Sequence, residues 1–304
     1  MGGQSALHGA FLWRQADTVV ELRQNWRAKE DPLFVKMLSQ FAVRVGQMTH
    51  VSDYEVLKTR LLSNIKHQSA EEFASFKNAP IVVTRKFLRD AINESKARAF
   101  AQDTAQQFET YFSTEQQRCL WNIDSTHTNG AIGQLPLIHG MLIVNGSRGT
   151  LKSIIYEKDI EGFRYAACVL VEVPGSVLAV PGLDDGVVPI LPVTTSFKFA
   201  VGESSVNIRR TQLPILPGWA FTDFKVQGNS LSPVIVDLTY ARSLQSIYVM
   251  LSRASSLHNV GILRWFSSKM LQLALQGDAR EELKRLSGIA DDTRQKYMTA
   301  HNIT

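Results

Sequence analysis

Residues 233–263 decide the fold class and read PVIVDLTYARSLQSIYVMLSRASSLHNVGIL. The apolar, β-branched run at 233–237 predicts a strand, and residues 260–263 predict a second one. Between them, four apolar residues recur at three- and four-residue spacing, which predicts a helix with one buried face. These residues are Leu244, Ile247, Tyr248 and Leu251. Strand, helix and strand in succession indicate a parallel sheet in an α/β domain.

The same pattern occurs earlier in the chain. Residues 80–84 (PIVVT) predict a strand, and a helical pattern follows at 86–101. Asp31-Pro32 predicts a helix start, because a short acidic side chain caps free amides and proline fits the first helical position. The β-branched stretch at 18–22 predicts a further strand.

After about residue 130 the composition changes to short strand-like pieces separated by Gly and Pro. We therefore expect a small all-β module at 131–212, inserted into an α/β domain made of 1–130 and 213–266. A helical pattern with balanced charges predicts a helical tail at 267–304.

The composition is that of a folded globular protein of 304 residues with a net charge of +5. The excess positive charge lies in 205–270, which holds seven basic and two acidic residues and suits a polyanionic partner. Cys119 and Cys168 are too far apart in sequence to indicate a zinc site or a disulfide framework. The apolar runs are too short to span a membrane. We expect an intracellular protein without a membrane partner.

Several catalytic motifs are absent from the sequence. None of the 19 glycines precedes a lysine, so the chain lacks the phosphate-binding loop that ends in Gly-Lys-Ser/Thr. Asp184-Asp185 follows Pro181-Gly182 and is typical of a turn rather than of a magnesium site. The seven histidines are scattered, and no metal ligand set is predicted.

The segment Thr222–Leu231 combines a lysine, a glutamine, a glycine and two hydroxyl side chains just before the strand at 233–237. Such a loop can bring backbone amides and short polar groups to phosphate oxygens. An ordinary polar turn has the same composition, so both interpretations remain open.

Three further candidate functional segments contain arginine. Arg253 follows the predicted helix and is either a cap of its C-terminal end or an arginine finger for a phosphoryl group. Arg27 lies beside Trp26, just past the predicted strand at 18–22. Arg209-Arg210 adds local positive charge, which either binds a phosphate backbone or is solvated at the surface.

Taken in this order, the segments resemble motifs of the petite-integration-frequency (PIF) family of DNA helicases, relatives of RecD in helicase superfamily 1. Two segments are the most specific, since they are similar to the family patterns Thr-Ile-His-Lys-Ser-Gln-Gly-x-Thr-Leu and Tyr-Val-Ala-Leu-Ser-Arg-x-x-Ser-Leu. The resemblance covers about residues 10–266. The matching segments are Leu22–Arg27, Ile92-Asn93, Asn145–Gly149, Arg209–Pro214, Thr222–Leu231 and Tyr248–Leu257.

The resemblance implies the second RecA-like motor domain, of the P-loop NTPase type, with an inserted SH3-like β module. In such a domain Arg253 and Arg27 contact the γ-phosphate of ATP. Gln227 and Gly228 couple the nucleotide cleft to DNA, and the implied nucleic-acid contacts are Thr222, Lys225, Ser230, Asn145 and Arg148.

The implied cofactors are ATP and Mg²⁺, held only if another polypeptide supplies the missing N-terminal RecA-like domain. The implied partners are single-stranded DNA or DNA junctions and a chain that carries that domain. Movement along DNA from 5′ to 3′, a nuclear or mitochondrial location, and roles in repair, recombination and telomere maintenance also follow from the family.

The sequence departs from the family pattern within Thr222–Leu231. Phe224 stands in place of histidine, Val226 in place of serine, and Asp223 in place of an apolar residue. We expect these changes to weaken the coupling between nucleotide and DNA. The leading hypothesis is thus a motor half, from a truncated gene product or a split motor, that is inactive alone. The alternatives are a non-enzymatic module that binds single-stranded DNA and a truncated relic.

Overall fold

The computed structural model describes residues 2–22, 24–42, 51–115, 118–145, 147–201, 204–272 and 277–301. The helices are Gly2–Arg14 (α1), Pro32–Ala42 (α2), Val51–Thr59 (α3), Leu62–Gln68 (α4), Ala70–Ser75 (α5), Lys86–Asp103 (α6), Asp223–Val226 (α7), Leu244–Leu251 (α8) and Gly277–Ala300 (α9). The strands are Ile81–Val83 (β1), Thr110–Phe112 (β2), Gln134–Pro136 (β3), Leu142–Asn145 (β4), Ser147–Lys158 (β5), Arg164–Glu172 (β6), Val187–Ile190 (β7), Val193–Val201 (β8), Ser204–Gln212 (β9), Leu216–Pro217 (β10), Ala220–Thr222 (β11), Val234–Val236 (β12) and Val260–Ile262 (β13). Short 3₁₀ turns occur at Arg118–Asn122, Leu257–Asn259 and Ser268–Gln272.

The first sheet has the strand order β11-β1-β12-β13, and its pairings are all parallel. Its strand residues are buried throughout, as expected for a parallel sheet covered on both faces. The predicted α/β fold with a parallel sheet is therefore confirmed. Asp31 caps α2 as predicted, because its Oδ1 accepts a hydrogen bond from the Phe34 amide at 3.0 Å.

The predicted strand at 18–22 is wrong. The described residues of this stretch pair with no strand, and Val20 and Leu22 are 77% and 90% exposed. A β-branched run becomes a strand only where a neighbouring edge accepts its backbone, and here the Val19 amide instead donates to the Thr293 hydroxyl of α9 at 3.2 Å.

The second sheet has the order β10-β4-β5-β6-β2-β3, and β7 pairs with β6. It surrounds an apolar core of its own, which includes Tyr111, Leu135 and Val169. Strands β2 and β10 lie outside the predicted 131–212 module, so this sheet draws residues from both sides of it. A two-stranded hairpin, β8-β9, completes the β part.

Helix α9 contacts the opposite end of the chain. The Trp13 indole donates to Glu282 Oε1 at 2.6 Å, and Arg285 pairs with the same carboxylate. The Arg285 guanidinium and the Trp13 indole together lower the pKa of Glu282 to about 2. Within the described residues, no helix is both long enough and apolar enough to cross a membrane.

Gly149 is required by close packing between β5 and β6. A Cβ at this position would lie 2.4 Å from Val171 Cγ1 and 2.9 Å from the Glu172 carbonyl oxygen. We expect Gly149→Ala to lower the free energy of unfolding in urea by about 1–3 kcal/mol. Gly288→Ala is the control, since its Cβ would meet no atom within 4 Å on helix α9 and should stabilise the chain. Equal effects of the two changes would contradict this account.

Candidate phosphate and DNA site

The candidate site is built on the segment that leaves the parallel sheet after β11. Asn93 of α6 fixes that strand, because its side chain accepts from the Ala220 amide at 2.7 Å and donates to the Ala220 carbonyl at 3.1 Å. Thr222 ends the strand and is buried, with 6% of its surface exposed. The chain then forms the single turn α7. The sequence signal for this support is the Ile92-Asn93 pair, one of the segments that resemble the family motifs.

Two of the departures from the family pattern are accommodated within this turn. Asp223 is buried, and its carboxylate accepts from the Ser246 hydroxyl at 2.6 Å and from the Phe224 amide at 3.0 Å. Phe224 points to solvent with 83% exposure. The acidic side chain thus links the turn to α8.

The remainder of the segment is open to solvent. Lys225, Gln227, Gly228 and Ser230 are all exposed. Gly228 has a φ of +88°, a conformation that residues with a Cβ rarely adopt, and the space around it is open. The backbone can therefore be approached closely at this residue.

Arg27 lies against the same segment. Its Nε donates to Ser230 Oγ at 2.8 Å, its Nη1 to the Ser252 carbonyl at 2.8 Å, and its Nη2 to the Gly228 carbonyl at 3.4 Å. The side chain thus bridges the turn and the end of α8, although more than 200 residues separate Arg27 from both of them in the sequence. Arg23, in the same predicted motif, lies outside the described residues.

Arg253 approaches the segment from the end of α8 and is only 6% exposed. Its Nη1 donates to the carbonyls of Val226 and Asn229 at 3.2 and 3.1 Å, and its Nε donates to the Val249 carbonyl at 2.6 Å. Its Nη2 donates to Ser252 Oγ at 2.8 Å. The guanidinium therefore ties the turn to the helix.

Neither arginine has a carboxylate partner among the described residues. Burial, followed by the charge of Arg27, lowers the pKa of the Arg253 guanidinium. Two neighbouring cations, one of them buried, are stabilised by an anion placed against them. The site is thus electrostatically suited to a phosphate group.

Arg148 of β5 lies close to the same strand. Its guanidinium carbon is 5.8 Å from the ring of Phe221, the residue before Thr222. The hairpin between β4 and β5 thereby approaches the turn after β11. The Asn145 side chain and all of Gly146 lie outside the described part of the chain.

Arg210 does not contribute to an open basic surface. Its side chain is fully buried and pairs with the equally buried Glu115, with Nη2 and Nε at 3.0 and 3.2 Å from Oε2. It also donates to the carbonyls of Leu120 and Ala131 at 2.6 and 2.9 Å. The prediction of a phosphate-binding or solvated side chain is wrong for Arg210, because a distant glutamate neutralises it. Arg209 is exposed.

The described residues contain no group of His, Cys, Asp and Glu that could hold a metal ion.

Parts of the chain are similar in sequence to known DNA helicases. The chain is 34% identical over 76 residues to the ATP-dependent DNA helicase PIF1 of Emericella nidulans. It is 30% identical over 80 residues to the ATP-dependent DNA helicase RRM3 of Saccharomyces cerevisiae. The matches cover 25–26% of this chain and 10–11% of those proteins. No family model matches the chain.

Solved structures extend the likeness to most of the chain. The Pif1 helicase of Candida albicans superposes on 87% of it with a TM-score of 0.57 at 20% identity. The Bacteroides Pif1 helicase in complex with ADP-AlF3 and ssDNA covers 88% with a TM-score of 0.55 at 16% identity. The chain spans 60% and 57% of those two proteins. The resemblance to the PIF family is confirmed.

Proposed function

We propose that this chain acts as the C-terminal motor half of an ATP-dependent DNA helicase that moves from 5′ to 3′. The observation that carries the proposal is the arginine pair on the turn after β11, since Arg27 and Arg253 approach one exposed segment without a carboxylate partner in the described chain. Planar guanidinium groups are suited to bind phosphoryl oxygens at two points.

The two arginines suit the γ-phosphate end of ATP. Arg27 and Arg253 would contact the γ-phosphate, and ATP would supply the phosphoryl transfer that drives the motor. The chain lacks a Gly-Lys-Ser/Thr loop, and its described residues gather no metal ligand set. The remaining phosphates and Mg²⁺ would be held by a RecA-like domain on another polypeptide, without which this chain is inactive.

The DNA contacts lie on the same segment and beside it. Lys225 and Ser230 are exposed and carry donors for phosphate oxygens, and Thr222, buried at the strand end, is the third DNA contact of this proposal. Gln227 and Gly228 lie between Lys225 and Ser230 in the sequence, on the turn that both arginines contact, so movement of the turn would couple nucleotide to DNA. Arg148 adds a cation from the β module, the SH3-like insertion of this proposal.

The partners of this function are single-stranded DNA or DNA junctions. A solved relative that carries ADP-AlF3 and ssDNA together supports this assignment. The resemblance to the family supports a nuclear or mitochondrial location for this function.

Arg253 also favours a second function. Its guanidinium has five N–H groups and makes four hydrogen bonds within the chain, three to backbone carbonyls and one to Ser252 Oγ. An arginine bound in this way supports the turn and not a phosphoryl group, as expected for a non-enzymatic module that binds single-stranded DNA.

Mixing the chain with a separately expressed nucleotide-binding half of a PIF-family helicase separates the two functions. Hydrolysis of ATP that needs both halves and single-stranded DNA supports the motor, and salt-sensitive DNA binding without hydrolysis supports the binding module.

A further inference from the structure

A stack of arginine and aromatic side chains lies at the carboxyl edge of the parallel sheet, outside the site described above. The Arg85 guanidinium carbon lies 3.9 Å from the centre of the Tyr240 ring and 5.8 Å from that of Phe87. The Arg264 guanidinium carbon lies 5.0 Å from the same Tyr240 ring. These four side chains, together with Trp265, which follows Arg264 in the sequence, are called the arginine–aromatic ladder.

The backbone holds the ladder in place. Arg85 follows β1, Tyr240 follows β12 and Arg264 follows β13, so three adjacent parallel strands deliver their side chains to one edge. The Thr84 hydroxyl donates to the Tyr240 carbonyl at 3.1 Å, which joins the first two loops. Asp237, almost fully buried, binds Arg264 at 2.6 Å and fixes its position.

The ladder leaves both charge and ring surface available to a ligand. Arg85 is exposed and has no carboxylate or hydrogen-bond partner for its guanidinium among the described residues. Next to Arg264, Trp265 is 65% exposed, and Phe87 is 44% exposed. A guanidinium beside exposed aromatic rings is the combination that binds phosphates and stacked bases of a single strand.

We propose that the arginine–aromatic ladder binds single-stranded DNA, with a phosphate on Arg85 and a base stacked on Trp265. The inference rests on the proposed function, because the DNA strand at the turn after β11 would continue over the same sheet edge. In a parallel sheet all carboxyl ends share one edge, and three strand spacings of about 4.8 Å separate β11 from β13.

Fluorescence anisotropy with a labelled oligothymidine of about 12 nucleotides tests the ladder in the full chain. We expect Trp265→Ala to weaken binding about tenfold through the loss of stacking. Arg85→Ala should weaken binding and reduce the slope of log affinity against log salt by about 0.7, the share of one phosphate contact. Arg85→Lys should keep the slope and still bind more weakly, because lysine lacks the planar group that stacks on Tyr240.

Arg98→Ala is the matched control, since Arg98, on the helix that Arg85 precedes, is exposed and stacks on an aromatic ring, Phe108, at 4.0 Å, but outside the ladder. The Arg98→Ala variant should bind the oligothymidine with the affinity of the unmodified chain. If the unmodified chain binds DNA and the ladder variants bind as well as Arg98→Ala, the ladder assignment is overturned while the proposed function stands. If the unmodified chain binds no DNA at low salt, both fail. Tighter binding of an oligouridine of equal length would overturn the assignment to DNA.

Discussion

Replacing Arg253 by lysine should reduce reconstituted ATP hydrolysis by roughly 10³-fold or more, the range found for arginine fingers. Lysine keeps a positive charge but cannot present the planar fork that binds a phosphoryl group at two points. Lysine is preferred to alanine here, because Arg253 also holds the turn through the carbonyls of Val226 and Asn229. Steady-state hydrolysis in the mixture with the nucleotide-binding half, with single-stranded DNA present, measures the effect.

DNA affinity in the same mixture distinguishes a finger from a structural clamp. We expect it to be unchanged in Arg253→Lys, and we expect the exposed-site control Arg98→Lys to keep both hydrolysis and binding. A loss of DNA binding as large as the loss of hydrolysis would show that Arg253 supports the turn and is no finger.

Replacing Arg210 by methionine should destabilise the fold by about 3–5 kcal/mol, because it leaves the carboxylate of Glu115 buried without a counter-charge. The free energy of unfolding in urea, read from circular dichroism, measures the change. The double variant Arg210→Met with Glu115→Gln should recover part of that loss, since it removes the buried negative charge.

Lys58→Met provides the control for this prediction. Lys58 pairs with Glu55 at 3.0 Å on the solvent-exposed face of α3. Exposed pairs contribute about 0–1 kcal/mol, so this variant should unfold almost like the unmodified chain. A similar small effect for Arg210→Met would contradict the buried ion pair.

The parallel sheet was predictable from the sequence because its strands are buried on both faces and therefore consist of uninterrupted apolar runs. Residues 81–83, 234–236 and 260–262 all show this pattern. The β-branched run at 18–22 has the same local preference, yet it is exposed and unpaired with any described strand. Local preference cannot show whether a neighbouring edge exists.

Charged side chains were harder to place. Arg210 and Glu115 are 95 residues apart, and nothing in their local sequence shows that they meet in the interior. From the sequence, the carboxylate of Asp223 is expected to weaken the coupling, whereas in the structure it accepts a hydrogen bond from the Ser246 hydroxyl of α8. The proximity of Arg27 to the turn at Gly228–Ser230 depends on tertiary contacts between residues more than 200 positions apart, which the local sequence does not show.

The most direct measurement of the central claim is steady-state ATP hydrolysis by the purified chain with single-stranded DNA, beside a DNA titration at low and high salt. The account predicts DNA binding that weakens as salt rises, and no hydrolysis until the nucleotide-binding half is added. Hydrolysis by the chain alone would contradict the account, because it would require a complete nucleotide site within these 304 residues.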